Sequence, residues 1–186
     1  MHTVYTIGHS TRSMNEFTEL LKLNAIELLV DVRRFPGSRR FPHFNKGKLE
    51  SSLNNAQINY KHIEALGGRR GKPSPGSANS GWKDDGFRAY ADYMNTDKGQ
   101  TAIELLLNYF SKYTTALMCA EALPWKCHRQ IIADILVAKS YTVYHIMDHS
   151  KLEEHTLNPM AKIMDNKTVI YPEKPEQSTL FGLTIF

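Results

Sequence analysis

The densest chemistry in the chain lies between residues 119 and 129, Cys-Ala-Glu-Ala-Leu-Pro-Trp-Lys-Cys-His-Arg. Cys127 falls where a helix is expected to begin, beside Lys126 and Arg129, and both the helix dipole and the local positive charge favour its thiolate. A thiolate in that position is a nucleophile or a metal ligand. Glu121 can act as general acid or base, His128 can assist with protons, and Arg129 can clamp a phosphate or carboxylate. Cys119 has a plainer alternative, because a free cysteine ending a buried strand often serves as a small hydrophobe. His9 follows Gly8, whose missing side chain lets a ligand approach the backbone. It can polarise a substrate, orient a carboxylate, or simply be a hydrogen-bonded structural residue. Asp31 and Arg33 either form a buried ion pair that shapes a site or leave Arg33 to bind an anion directly.

Cys119, Glu121, Cys127, His128 and His9 carry enough N, S and O donors for zinc or iron in principle. Seven residues separate the two cysteines and no second pair exists, so the spacing is not that of a zinc knuckle. The sequence therefore assigns no metal ligand and leaves the cofactor unknown. Two cysteines in 186 residues also fall far short of a secreted disulfide scaffold.

Charge is unevenly distributed. The formal net charge is +4, yet residues 33–72 hold ten Lys/Arg against two acids, Glu50 and Glu64, leaving 13 bases against 17 acids elsewhere. A local +8 suits a polyanion, either nucleic acid or a phosphorylated ligand, although a solvated surface explains it equally simply. Within that segment Arg33, Arg34, Arg39 and Arg40 alternate with Phe35, Phe41, His43 and Phe44, and Arg69 and Arg70 follow in Leu-Gly-Gly-Arg-Arg. Cations meet phosphates and flat rings meet unstacked bases, so this is the composition of a nucleic-acid groove. The same phenylalanines can instead pin a long loop to the core.

The elements that must position these residues alternate between strand and helix. Strands are expected at residues 3–7, 26–32, 58–63, 115–119 and 141–146. Helices are expected from Ser13, an N-cap with Glu16 three residues on, then at 46–55, 87–94, 101–113 (with a break near 97–99) and 127–138. Residues 65–81, rich in Gly, Pro and Ser, read as a loop. Several strands are apolar on both faces. The expected fold is therefore α/β and three-layered, a mostly parallel sheet of about five strands with helices on both faces. One domain covers residues 1–148, and 149–186, with Pro159, Pro172 and Pro175, reads as an extended C-terminal tail. Ligands of such sheets bind outside the carboxyl ends of the strands. That rule brings together Gly8-His9-Ser10-Thr11, Asp31-Val32-Arg33-Arg34 and Cys119-Ala120-Glu121. No apolar run reaches the roughly 18 residues of a membrane span, and residues 1–10 lack a signal-like basic start and apolar stretch, so no membrane association and a cytoplasmic location are expected.

Four ordered motifs, Gly-His-Ser after the first strand, Asp-Val-Arg-Arg-Phe-Pro-Gly-Ser-Arg-Arg-Phe-Pro-His-Phe-Asn after the second, Leu-Gly-Gly-Arg-Arg after the third, and Cys-Ala-Glu…Cys-His-Arg after the fourth, resemble the domain of unknown function 488 family across most of residues 3–146. The resemblance implies a compact α/β fold with these loops gathered at one site, and it implies no particular reaction. Carried over by motif position, the functional residues are His9, Arg33, Glu121, Cys127, His128 and Arg129. Asp-Val-Arg after a strand is also similar to rhodanese-like domains, but the single-cysteine loop closing on an arginine is missing. Gln177-Ser-Thr-Leu180-Phe181 is similar to the peptide by which bacterial repair and replication proteins dock on the sliding clamp, with Ser178 in place of the leucine often preferred there. Its alternative is that Leu180, Phe181 and their neighbours pack back onto the domain or onto a second subunit.

These observations support three functions. The first is an enzyme acting on nucleic acid, with a role in DNA repair, whose cationic loops hold the backbone while Glu121 and Cys127 do the chemistry with His9 and His128. The second is an enzyme on a small phosphorylated or nucleotide substrate. The third is a non-catalytic adaptor that joins DNA to the clamp, for which a Glu, Cys and His cluster at strand ends has little use. Base excision or strand hydrolysis fits a carboxylate-led site, and transfer onto sulfur fits a cysteine-led one.

Overall fold

The computed structural model describes residues 2–173. Five parallel strands, β1 (His2–Gly8), β2 (Leu28–Asp31), β3 (Asn59–His62), β4 (Thr115–Cys119) and β5 (Tyr141–Ile146), form the sheet. A sixth, β6 (Leu152–Glu154), pairs antiparallel with β5, and the order is β3-β2-β4-β1-β5-β6. Five helices accompany them: α1 (Met14–Leu23), α2 (Lys46–Asn55), α3 (Asp85–Met94), α4 (Asp97–Phe110) and α5 (Arg129–Ala138). This is the three-layer α/β fold that the alternating pattern implies.

β2 and β4 are buried along their whole length, as strands covered on both faces must be. Successive side chains point to opposite faces. Leu28, Val30, Leu117 and Val143 meet Tyr90, Ile103 and Ile132 from α3, α4 and α5. Leu29, Ala116, Met118 and Ile146 meet Phe17, Leu20, Leu49 and Leu53 from α1 and α2 on the other side. Caps fix where the helices begin. The Ser13, Asp84 and Thr96 side chains accept from the backbone N–H groups of Glu16, Phe87 and Gly99. Thr96 therefore starts α4 at Asp97, where the residue pattern alone suggests a break. α5 begins at Arg129, two residues later than expected, because Pro124–Lys126 forms a separate single-turn 3₁₀ helix.

Residues 149–173, read from sequence as the first part of a tail, carry β6 and a small hairpin of β7 (Lys162–Ile163) with β8 (Val169–Ile170). After the hairpin, Tyr171 is wholly buried and donates its hydroxyl to Asp134 Oδ2 at 2.7 Å. The apolar anchors of this segment, Val169 and Tyr171 in the core with Met160 and Ala161 packed against it, are too sparse to form a period, so hydrophobic periodicity does not reveal it. Gln177, Leu180 and Phe181 lie outside the described residues.

Candidate functional site at the carboxyl ends of the strands

The ends of β1, β2 and β4 converge as the strand-end rule requires. Gly8 sits beside Cys119 in register, and Asp31 beside Met118. Past the strands, His9 N–H and Ser10 N–H continue the ladder onto the Cys119 and Ala120 carbonyls, both at 2.9 Å. A Cβ on Gly8 would overlap the Glu121 carbonyl, so the β1 and β4 ends approach this closely only through glycine. Gly68 serves the same purpose in the Leu-Gly-Gly-Arg-Arg loop, where a Cβ would overlap the imidazole of His128. Together these segments line an open cavity of about 940 Å³. Its lining includes His9, Arg33, Arg34, Arg40, Arg69, Glu121, Cys127 and His128, eight of the residues singled out from sequence.

Asp31 and Arg33 form the buried ion pair that the sequence left as one of two readings. Arg33 Nη2 donates to Asp31 Oδ2 at 2.6 Å and Nε to Oδ1 at 2.9 Å, with both side chains almost fully buried. Tyr60, unremarkable in sequence, adds its hydroxyl to Oδ2 at 2.9 Å. Burial works against the guanidinium charge, but Asp31 outweighs it and holds Arg33 above its ordinary value. The remaining nitrogen, Nη1, faces His9 Nε2 at 3.4 Å. His9 Nδ1–H donates to the Ser10 carbonyl at 3.0 Å, so Nε2 bears the lone pair that accepts from Arg33. Burial first, then the neighbouring Arg33 charge, lowers His9 to about 4, and the ring stacks neutral on Phe44 at 4.2 Å.

The floor of the cavity holds Cys119, Cys127 and His128. His128 Nε2–H donates to the Val32 carbonyl at 3.0 Å, which turns Nδ1 toward the sulfurs, 3.8 Å from Cys119 Sγ and 3.6 Å from Cys127 Sγ. The edge of the Tyr90 ring closes over the imidazole, with the centroids 5.1 Å apart. Cys119 is held well above the ordinary thiol range, chiefly by its hydrogen bond to Cys127 and then by burial. Burial opposes ionisation of Cys127 too, but the Cys119 thiol, His128 and Arg129 together outweigh it and hold Cys127 well below that range.

Arg129 faces inward rather than into the cavity. It is 1% exposed, and its donors go to Cys127 Sγ (3.4 Å), Thr6 Oγ1 (3.2 Å) and the Glu121 and Ala122 carbonyls. The expected anion clamp is thus a brace that fixes the 119–129 loop, because the guanidinium is buried and each of its three nitrogens already bonds to the protein. From Thr6 the polar chain continues through the interior. Thr6 Oγ1 meets His145 Nδ1 at 2.7 Å, His145 Nε2 meets His155 Nδ1 at 3.0 Å, and His155 Nε2 meets Asp134 Oδ1 at 2.9 Å. Sequence reasoning passed over this chain, because it depends on the pairing of β1 with β5, where Thr6 and His145 are register partners.

The cationic segment divides. Arg34, Arg40 and Arg69 line the opening with Lys126, and Arg34 pairs with Glu64 at 3.1 Å. Arg39 is exposed but outside the lining. Arg70 lies 3.5 Å over the Tyr93 ring and donates to the Ala65 carbonyl, so it secures its own loop. The aromatics divide as well. Phe44 is core, Phe41 packs edge-on against His9, and Phe35 stands 66% exposed at the cavity. The Glu121 side chain is exposed to the same space.

Fold and site together define a doubly covered parallel α/β protein with a thiol–imidazole cluster under a cation-lined opening. Residues 13–136 match the family described as Domain of unknown function DUF488, and the chain belongs to that family. Three of the four motifs fall inside the matched span, and Gly8-His9-Ser10 precedes it. No curated protein and no solved structure matches the chain. Among the described residues no helix is long and apolar enough to cross a membrane.

Proposed function

We propose that the protein is an enzyme acting on nucleic acid, with a place in DNA repair, that holds the phosphate backbone at the opening of the cavity and does hydrolytic chemistry on its floor. The observation that carries this reading is the lining itself. Arg34, Arg40, Arg69 and Lys126 surround the entrance, Phe35 offers an exposed ring beside them, and Glu121 presents a carboxylate with no protein partner among the described residues. Phosphates bind such cations, an unstacked base stacks on such a ring, and a free carboxylate at the site serves as general acid or base. Cys127 is held from several sides and is 3% exposed, which favours a carboxylate-led reaction over attack by sulfur.

A second reading has its own observation. About 940 Å³ is the size of a small-molecule pocket, and the same arginines suit a nucleotide or another phosphorylated metabolite. Fluorescent single-stranded DNA titrated across a salt series separates the two. For nucleic acid, log affinity falls with log salt by about 0.7 per phosphate contact, and Arg40→Ala with Arg69→Ala each reduce that slope by about one contact. No binding at low salt refutes the first reading and leaves the arginines to a small anion.

A further inference from the structure

We propose that Cys119, Cys127 and His128 form a binding site for one zinc ion whose fourth coordination position opens into the cavity. The three donor atoms come from the end of β4 and the entry to α5 and lie within 4.8 Å of one another. The separations between imidazole nitrogen and sulfur are 3.8 and 3.6 Å. Zinc at its usual distances of about 2.3 Å from sulfur and about 2.0 Å from nitrogen, at tetrahedral angles, separates its ligands by about 3.6 Å. The two nitrogen-to-sulfur edges already have that length, and the sulfurs lie no more than 4.8 Å apart, so a small inward movement of one sulfur closes the face.

Two further features are those of a metal site. The nitrogen of His128 that faces away from the sulfurs donates to the Val32 carbonyl at 3.0 Å, the kind of hydrogen bond that fixes the tautomer and aim of a metal-bound histidine. The buried Arg129 guanidinium donates to Cys127 Sγ, placing a compensating charge next to a ligand sulfur rather than next to solvent. Sequence spacing gave no zinc knuckle because seven residues separate the two cysteines. The strand end and the helix entry bring them together.

All three ligands line the cavity, and three protein ligands with an open position is the arrangement of catalytic rather than structural zinc. Zinc held by these three residues would supply Lewis-acid activation of a water, and Glu121, exposed in the same cavity, is the carboxylate available there as general base. This gives the hydrolytic reading above its nucleophile, but the metal site stands on its own ligands whether or not DNA is the substrate.

The test uses the full chain, reduced and stripped of metal by a chelator, with cobalt(II) as a coloured replacement for zinc. The expected result is one cobalt per chain, visible bands of a four-coordinate ion, and a near-ultraviolet sulfur-to-cobalt charge-transfer band that zinc abolishes. Cys119→Ser and Cys127→Ser each remove about half of the charge-transfer intensity, one thiolate of two. Zinc also protects both thiols of the unaltered protein from a thiol reagent, a measurement that needs no variant to fold. An unaltered, reduced protein that shows no charge-transfer band at one equivalent of cobalt overturns the proposal. So does zinc that binds while both thiols stay reactive. Neither outcome depends on DNA affinity, so failure of the zinc site and failure of the nucleic-acid reading are separate results.

Discussion

Replacing Asp31 with asparagine tests the central electrostatic claim. Asp31 is wholly buried, and its two oxygens accept from the Arg33 backbone N–H, from Arg33 Nε and Nη2, and from the Tyr60 hydroxyl. An amide keeps the shape but removes the charge and turns one acceptor into a donor that faces other donors. Arg33, itself 4% exposed, is then a buried cation without a counter-charge. Breaking a buried pair in this way costs about 3–5 kcal/mol. For a chain of this size each kcal/mol moves the melting temperature by about 2–4 °C, so a fall of roughly 10 °C is expected. The control is Asp31→Leu with Arg33→Met, which removes both charges and recovers about 2 kcal/mol or more relative to the single change. Denaturant titration of all three proteins, with unchanged m-values, provides the free energies. A single variant within about 1 kcal/mol of the parent, or a double variant no better than the single, would falsify the claim that this pair is held by mutual compensation.

Two more outcomes follow from packing and titration. Gly8→Ala pushes a methyl into the Glu121 carbonyl and is expected to cost about 1–3 kcal/mol, whereas Gly71→Ala, with open space around it, changes stability by a few tenths at most; equal melting temperatures for the two would remove the close-approach argument. His9 and His145 are lowered by burial to about 4 and about 3, against about 6.5 in an unfolded chain. Between those values the unfolded state binds the protons and the folded state does not, so stability is full above pH 6.5 and declines as pH falls. His9 alone contributes a loss of about 3 kcal/mol by pH 4. His9→Gln should flatten the profile measured between pH 7 and 4.5, and an unchanged slope in that variant argues against a neutral buried ring.

Local chemistry was readable where it is governed by near neighbours. Ser13 caps α1 three residues before Glu16, and Lys46–Asn55 and Thr115–Cys119 have the bounds their patterns suggest, because caps and periodicity act within a few positions. The convergence of Gly8, Asp31 and Cys119 was also readable, since parallel strands covered by helices present their ends on one side. What each arginine does was not readable. Arg33, Arg70 and Arg129 look alike in a basic sequence, yet Asp31, the Tyr93 ring and the Thr6 hydroxyl decide their roles, and Thr6 is 123 positions from Arg129. β6 escaped detection because Leu152–Glu154 is three residues long and owes its place to pairing with β5.

The buried polar chain from Arg129 to Tyr171 fixes a boundary that sequence similarity does not. The family match stops at residue 136, just past Asp134. Yet every donor to that carboxylate comes from further along: the His155 ring, the Asn158 backbone N–H and the Tyr171 hydroxyl. A fragment cut at the end of the match, or even after β5, would leave the buried Asp134 carboxyl without its donors. The cut after β5 would also free His145 from His155, one step from the threonine that steadies Arg129. The smallest piece of this protein that can fold around its own charges therefore runs to Tyr171. In that sense the last strands supply the hydrogen-bond donors that α5 buries its Asp134 carboxylate to meet.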